Sequence, residues 1–129
     1  MNKEPIIIVA GEPNSIFLEI FFKCIKSNKF NSPLIIIVSK ELLKGQMNKL
    51  GFNFIINTIN KDFSKFNELN NKKINLIDIK YKFKNCFEKI SNNSNNYIEE
   101  SFKIALKILL KNKFSKLING PISKKHFLN

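Results

Sequence analysis

Along this chain, short unbroken apolar runs alternate with stretches in which apolar residues return every three or four positions. Pro5 to Ala10 is a continuous apolar run ending at Gly11, the pattern of a strand covered on both faces. Ile16, Phe17, Ile20, Phe21, Cys24 and Ile25 then recur at helical spacing, with Asn14 or Ser15 available as the N-cap. Leu34 to Val38 predicts a second buried strand. Ser39 can cap a following helix that carries Leu42, Leu43, Met47 and Leu50 and stops at Gly51.

The unit of strand and helix then becomes less regular. Phe54 to Ile56 predicts a short third strand, and residues 57 to 73 are polar, rich in lysine and asparagine, and expected to be irregular. Ile74 to Ile79 has the β-branched character of a strand, and Ser91 to Asn96 reads as an exposed polar loop. Ile98, Phe102, Ala105, Leu106, Leu109 and Leu110 mark a helix with Glu99, Lys103 and Lys107 on its polar side. Glu99 and Lys103 stand at the i,i+4 spacing that favours an ion pair. Lys116 to Asn119 predicts a last short strand, broken by Gly120-Pro121, and Ile122 to Phe127 predicts the start of another helix. Alternating strands and helices imply an α/β class domain: a three-layer α/β/α arrangement with a largely parallel sheet, whose ligands lie at the carboxyl ends of the strands.

With 129 residues, 43% of them hydrophobic, the chain has the size of one compact domain. No stretch approaches the ~18 to 20 uninterrupted apolar residues that span a bilayer, so no membrane partner is expected. Met1 to Pro5 leads straight into a run of strand length, without a signal-peptide pattern, and the chain reads as cytoplasmic. Cys24 and Cys86 are far apart, and Cys24 falls on a predicted apolar stripe, so neither a disulfide nor a metal pair is expected.

A formal charge of +12 ordinarily raises nucleic acid or an anionic surface as a partner. All 22 basic residues here are lysine, however, in a sequence crowded with Asn, Ile and Phe, the joint bias of an AT-rich coding sequence. Readers of bases and phosphates favour the planar fork of arginine, which is absent. The lysines therefore read as a solvated surface, and no nucleic-acid partner is expected.

Two junctions between strand and helix carry candidate chemistry. Gly11-Glu12-Pro13-Asn14-Ser15 follows the first strand, and its backbone N–H groups and helix dipole suit a phosphate or carboxylate. Glu12 repels an anion there unless it points away or binds something cationic. At the other end, Asn119-Gly120-Pro121-Ile122-Ser123-Lys124 follows the last strand, where Lys124 can supply a positive charge. His126 is the only histidine, so no two-histidine metal motif can be assembled. No nucleophile-elbow, P-loop or paired C-x-x-C pattern is present, and spacing alone ends at an α/β domain.

Three blocks together go further. Ile6 to Ile16 with its Gly11-Glu12-Pro13 turn, the helix segment Glu100-Ser101-Phe102-Lys103-Ile104-Ala105-Leu106, and Leu117 to Lys124 with its Gly120-Pro121 turn resemble, in order and interval, the 4-hydroxythreonine-4-phosphate dehydrogenase family. That family is similar in fold to isocitrate and isopropylmalate dehydrogenases. It oxidises 4-phosphooxy-L-threonine with NAD or NADP and a divalent metal, and the 3-oxo acid loses carbon dioxide on the way to pyridoxal 5'-phosphate (vitamin B6).

The resemblance spans nearly all of residues 1 to 129 but about two-fifths of the family's length. It implies the amino-terminal part of a homodimeric enzyme with a small phosphorylated amino-acid substrate. The family's metal-binding histidines and most of its substrate contacts fall after Asn129, which leaves no catalytic residue and no metal ligand to name here. Gly11, Glu12, Pro13, Asn14, Ser15, Gly120, Pro121, Ser123 and Lys124 are expected to line or support the ligand site. Departures from the family pattern are Asn14-Ser15 for alanine-glycine, Phe17-Leu18 for glycine-proline, and Asn119 for threonine. The bulky Phe17-Leu18 pair weakens close ligand approach at the first turn. Related dehydrogenases of other phosphorylated threonate-like acids, and a non-catalytic domain that binds an anion or dimerises, are the alternative expectations.

Overall fold

The computed structural model describes residues 4–27, 29–123 and 125. Its order is β1 (Ile6–Val9), α1 (Phe17–Ser27), β2 (Leu34–Val38), α2 (Lys40–Leu50), β3 (Ile56–Thr58), β4 (Ile74–Asp78), α3 (Asn95–Asn112) and β5 (Leu117–Asn119). The five strands form one parallel sheet in the order β3-β4-β2-β1-β5. The expected α/β architecture with helices on both faces is what the chain adopts.

Strand periodicity explains the two cores. On β1 and β2, Ile8, Leu34, Ile36 and Val38 point to the face covered by α1 and α2, where they meet Leu18, Phe21, Phe22, Leu42 and Leu43. Their neighbours Ile7, Val9, Ile35 and Ile37 point to the other face and meet Ile98, Ala105 and Ile108 of α3. Every residue of β2 is buried, as a central parallel strand requires. Phe22 also packs against Phe52 and Phe54, with ring centroids 5.4 and 6.2 Å away.

Several expected boundaries and faces move. α1 buries Leu18, Phe21, Phe22 and Ile25, whereas Ile16 and Ile20 are exposed. α3 buries Tyr97, Ile98, Ser101, Ala105 and Ile108, and exposes Leu106 and Leu110. Both helices are apolar on more than one side, so two stripes have helical spacing and the sheet selects between them. β3 begins at Ile56, later than expected, because its ladder with β4 starts at the pair Ile56 and Ile74. The stretch expected to be irregular therefore opens inside a strand. It also contains a 3-10 turn at Phe66–Glu68, whose buried Phe66 packs edge-on against Phe63 and Phe114. The polar cluster before α3 is not a plain exposed loop: Asn92–Ser94 is a 3-10 turn, and Ser94 is buried. Of the helix expected from Ile122 to Phe127, Ile122 and Ser123 are not helical, and Lys124, His126 and Phe127 lie outside the described residues.

Other expectations hold at residue level. Ser39 caps α2, its Oγ accepting from the Leu42 N–H at 3.2 Å, and Gly51 ends the helix in the left-handed region at φ 79°. Lys103 Nζ lies 3.6 Å from Glu99 and 3.9 Å from Glu100. Cys24 and Cys86 are free thiols, and Cys86 is part of the core. Among the described residues no helix is long and apolar enough to cross a membrane.

Candidate functional site

The strand order brings the two sequence turns together. β5 lies beside β1, so Gly11 to Ser15 and Gly120-Pro121 emerge next to each other at the carboxyl ends of the strands. The Glu12 N–H donates to the Pro121 carbonyl at 2.8 Å, and the Gly120 N–H donates to the Val9 carbonyl at 2.8 Å. The fit leaves no room for side chains. A Cβ on Gly120 would stand 2.0 Å from the Ala10 oxygen, and one on Gly11 would stand 2.7 Å from the Pro121 oxygen. Gly11 also has a φ of 77°, which a residue with a Cβ adopts only under strain.

Glu12 is buried at 4% exposure. Its Oε1 accepts from the Asn14 N–H at 3.2 Å, and its Oε2 accepts from the Ser94 hydroxyl at 3.1 Å. Ser15 completes the turn, its hydroxyl donating to the Glu12 carbonyl at 2.8 Å and its Oγ accepting from the Phe17 N–H at 3.2 Å. The N–H groups that suited an anion from outside are thus taken up in part by the turn's own oxygens. Among the described residues no lysine comes within ion-pair distance of Glu12, and its carboxyl oxygens rest on these two hydrogen bonds.

Beside this turn lies a second group of polar residues that sequence reasoning missed. The adjacent strands β2 and β4 send their connections to opposite faces, into α2 and α3 respectively, which makes this edge a topological switch point of the sheet. There the Ser39 N–H donates to the Tyr97 hydroxyl at 3.0 Å, and the Lys40 N–H donates to Asp78 Oδ1 at 2.8 Å. Burial pushes the Tyr97 phenol well above its ordinary range. Tyr81 packs at a tilt against Tyr97 with centroids 4.8 Å apart; burial raises its phenol too, and the charges of Glu12 and Glu88 act in the same direction. Glu88 Oε1 accepts from the Asn85 and Lys84 N–H groups, which hold its carboxyl below the usual value.

Gln46 ties these parts together. It is fully buried on α2, and its Nε2 donates to the Pro13 carbonyl at 2.9 Å and the Cys86 carbonyl at 2.8 Å. The signal for it was present: a lone amide four positions after Leu42 and three after Leu43, on the stripe that faces the core.

Of the nine residues expected at the site, Gly11, Glu12, Pro13, Asn14, Ser15, Gly120 and Pro121 meet in one cluster. Ser123 is half-buried just beyond it, and Lys124 lies outside the described residues. A groove of about 720 Å³ runs elsewhere, along the outer side of α3 between Lys61, Leu106 and Leu110, and none of these nine residues lines it. Among the described residues no three His, Cys, Asp or Glu side chains gather to hold a metal ion.

No protein-family model matches this sequence, and no curated protein matches it. Solved structures do match. A 4-hydroxythreonine-4-phosphate dehydrogenase from Burkholderia phymatum superposes with a TM-score of 0.75 at 15% identity, over 96% of this chain and 40% of that one. A proposed 4-hydroxythreonine-4-phosphate dehydrogenase from Salmonella typhimurium gives a TM-score of 0.78 at 21% identity, over 95% of this chain and 38% of that one. The chain therefore spans about two-fifths of the length of the solved structures it matches, and with that portion it shares its fold.

Proposed function

We propose that this chain is the amino-terminal portion of an oxidoreductase of the 4-hydroxythreonine-4-phosphate dehydrogenase type. In its complete form that cytoplasmic, homodimeric enzyme oxidises 4-phosphooxy-L-threonine with NAD or NADP. Loss of carbon dioxide then gives a precursor of pyridoxal 5'-phosphate. One observation carries the reading. The two turns whose residues resemble that family are far apart in sequence, yet the Glu12 N–H meets the Pro121 carbonyl at 2.8 Å at the carboxyl end of the sheet. Likeness in fold to two solved structures described as such dehydrogenases supports it independently of the motifs.

On this reading Gly11 to Ser15 and Gly120 to Ser123 form one wall of the substrate site. The divalent metal, which would polarise the reacting oxygen, is held by residues after Asn129. The 129-residue chain by itself is expected to be inactive.

The test is to express the complete natural product that contains this chain and follow NADH or NADPH formation. Turnover of 4-phosphooxy-L-threonine that depends on a divalent metal is expected. Turnover only of another phosphorylated threonate-like acid would move the assignment to a sister enzyme. No turnover of either, with a natural product of 129 residues, would leave a non-catalytic domain.

A further inference from the structure

Gln46 stands where the core-facing stripe of α2 calls for an apolar residue, and it is fully buried there. Both hydrogens of its amide are used, on carbonyls that belong to different parts of the chain: Pro13, in the turn after β1, and Cys86, in the segment between β4 and α3. Its Oε1 has no hydrogen-bond partner among the described residues. The amide cannot be turned round, since that would set its oxygen against two carbonyl oxygens. An apolar residue here would free the core of the unsatisfied Oε1 but leave the Pro13 and Cys86 carbonyls without this donor, so the amide is kept for the two segments it joins.

The surroundings show what the amide holds. Gly45, the preceding residue, lets the Cys86 segment come close: a Cβ at Gly45 would stand 2.9 Å from the Cys86 Cβ. Two residues on, the Glu88 N–H donates to Asn14 Oδ1 at 2.9 Å, a second tie between the same segments but an exposed one.

We infer that Gln46 is a positioning residue that locks the segment 80–90 to the Glu12–Asn14 turn, so that the two move as one body. Its effect on ligand binding rests on the reading given above of this edge as the substrate site; the mechanical coupling does not.

Hydrogen exchange on the 129-residue chain tests the coupling directly. The amides to follow are Glu12 and Asn14 in the turn and Lys84, Asn85 and Glu88 in the segment, all hydrogen-bonded here. Gln46→Leu is expected to speed exchange about tenfold or more at both sets together while β2 stays protected. Loss of protection in one set only, or in neither, overturns the inference. Should Gln46→Leu not fold, Gly45→Ala displaces Cys86 without touching Pro13. The turn amides are then expected to loosen with the segment, and a turn that keeps its protection overturns the coupling.

In the complete protein, Gln46→Leu is expected to lower the melting temperature, because the Pro13 and Cys86 carbonyls lose their donor, and to raise KM for 4-phosphooxy-L-threonine several-fold with kcat little changed. Wild-type inactivity would sink the functional reading and leave the exchange result standing. Wild-type activity with an unchanged KM in the variant would remove the role of Gln46 at the ligand site.

Discussion

Ser94 donates its hydroxyl proton to Glu12 Oε2 across 3.1 Å, and the two residues stand 82 positions apart in the chain. The bond fastens the start of α3 to the turn after β1, inside the protein, where neither partner has ready access to water. Glu12→Ala leaves the Ser94 hydroxyl and the Asn14 N–H without this acceptor, at an expected loss of about 1–3 kcal/mol. Glu12→Gln keeps one accepting oxygen and should lose less. Urea denaturation reads both as a shift of midpoint at constant slope. A midpoint for Glu12→Ala equal to wild type would mean that the carboxylate contributes nothing to the fold.

The close approach of the two turns predicts an ordering among glycines. Gly120→Ala drives a Cβ to 2.0 Å from backbone at Ala10, and neither side can yield cheaply. A loss of about 3 kcal/mol or more is expected, at the upper end for overpacking. Gly51→Ala has a similar positive φ to Gly11 but open space around it, so only backbone strain remains, about 1 kcal/mol. Thermal melts of the two variants should therefore differ clearly, and equal melting temperatures would contradict the packing of Gly120 on Ala10.

The face of α1 gives a third test. Phe22 is fully buried and in contact with three other rings, so Phe22→Ala should cost about 3–5 kcal/mol. Ile20 is 47% exposed, and Ile20→Ala should stay within about 0.5 kcal/mol of wild type. The opposite ranking would mean that the helix is rotated toward the stripe first read from the sequence.

That stripe shows how much of the structure the sequence disclosed. β1 and β2 were legible because continuous apolar runs rich in β-branched residues leave little choice once both faces are buried, and β4 because Ile74, Ile77 and Ile79 stand out between polar stretches. The caps of α2 were legible because Ser39, through its hydroxyl, and Gly51, through its left-handed backbone, act on residues only a few positions away. α1 was ambiguous because Ile16, Phe17, Leu18, Ile20, Phe21, Phe22, Cys24 and Ile25 surround most of the helix, and only docking on the sheet decides between two equally periodic faces. β3 was displaced because its first residue is set by its partner on β4. At the candidate site the glycine turns were visible as motifs. The roles of Ser94, Tyr97 and Gln46 were not, since each depends on a partner dozens of positions away.

Tyr97 links the site to alkaline pH. Its phenol is raised by burial, so between the unfolded value near ~10 and the higher folded value only the unfolded chain gives up the proton. Stability is therefore intact below the unfolded value and falls as pH rises beyond it. Tyr97→Phe loses the bond from the Ser39 N–H, about 1 kcal/mol at neutral pH, but removes this alkaline loss. Denaturation at about pH 7 and about pH 11 should show the gap between wild type and variant narrowing or reversing at the higher value. A constant gap would mean that the hydroxyl is not held neutral by burial.

The position of β1 in the sheet also has a consequence for how the molecule comes into being. One neighbour, β2, follows after a single helix, whereas the other, β5, supplies Leu117 as the partner of Ile7. On a ribosome β1 can pair on one side early, but its second side stays open until almost everything else here has been synthesised. Closing so long a loop is slow, and it delays the rate of folding more than it lowers final stability. Gly11 and its turn wait for Gly120 throughout that interval, which makes the candidate site among the last features to form. The mutations most damaging to yield in cells should then cluster where β5 docks, including changes that a purified, already folded protein would tolerate.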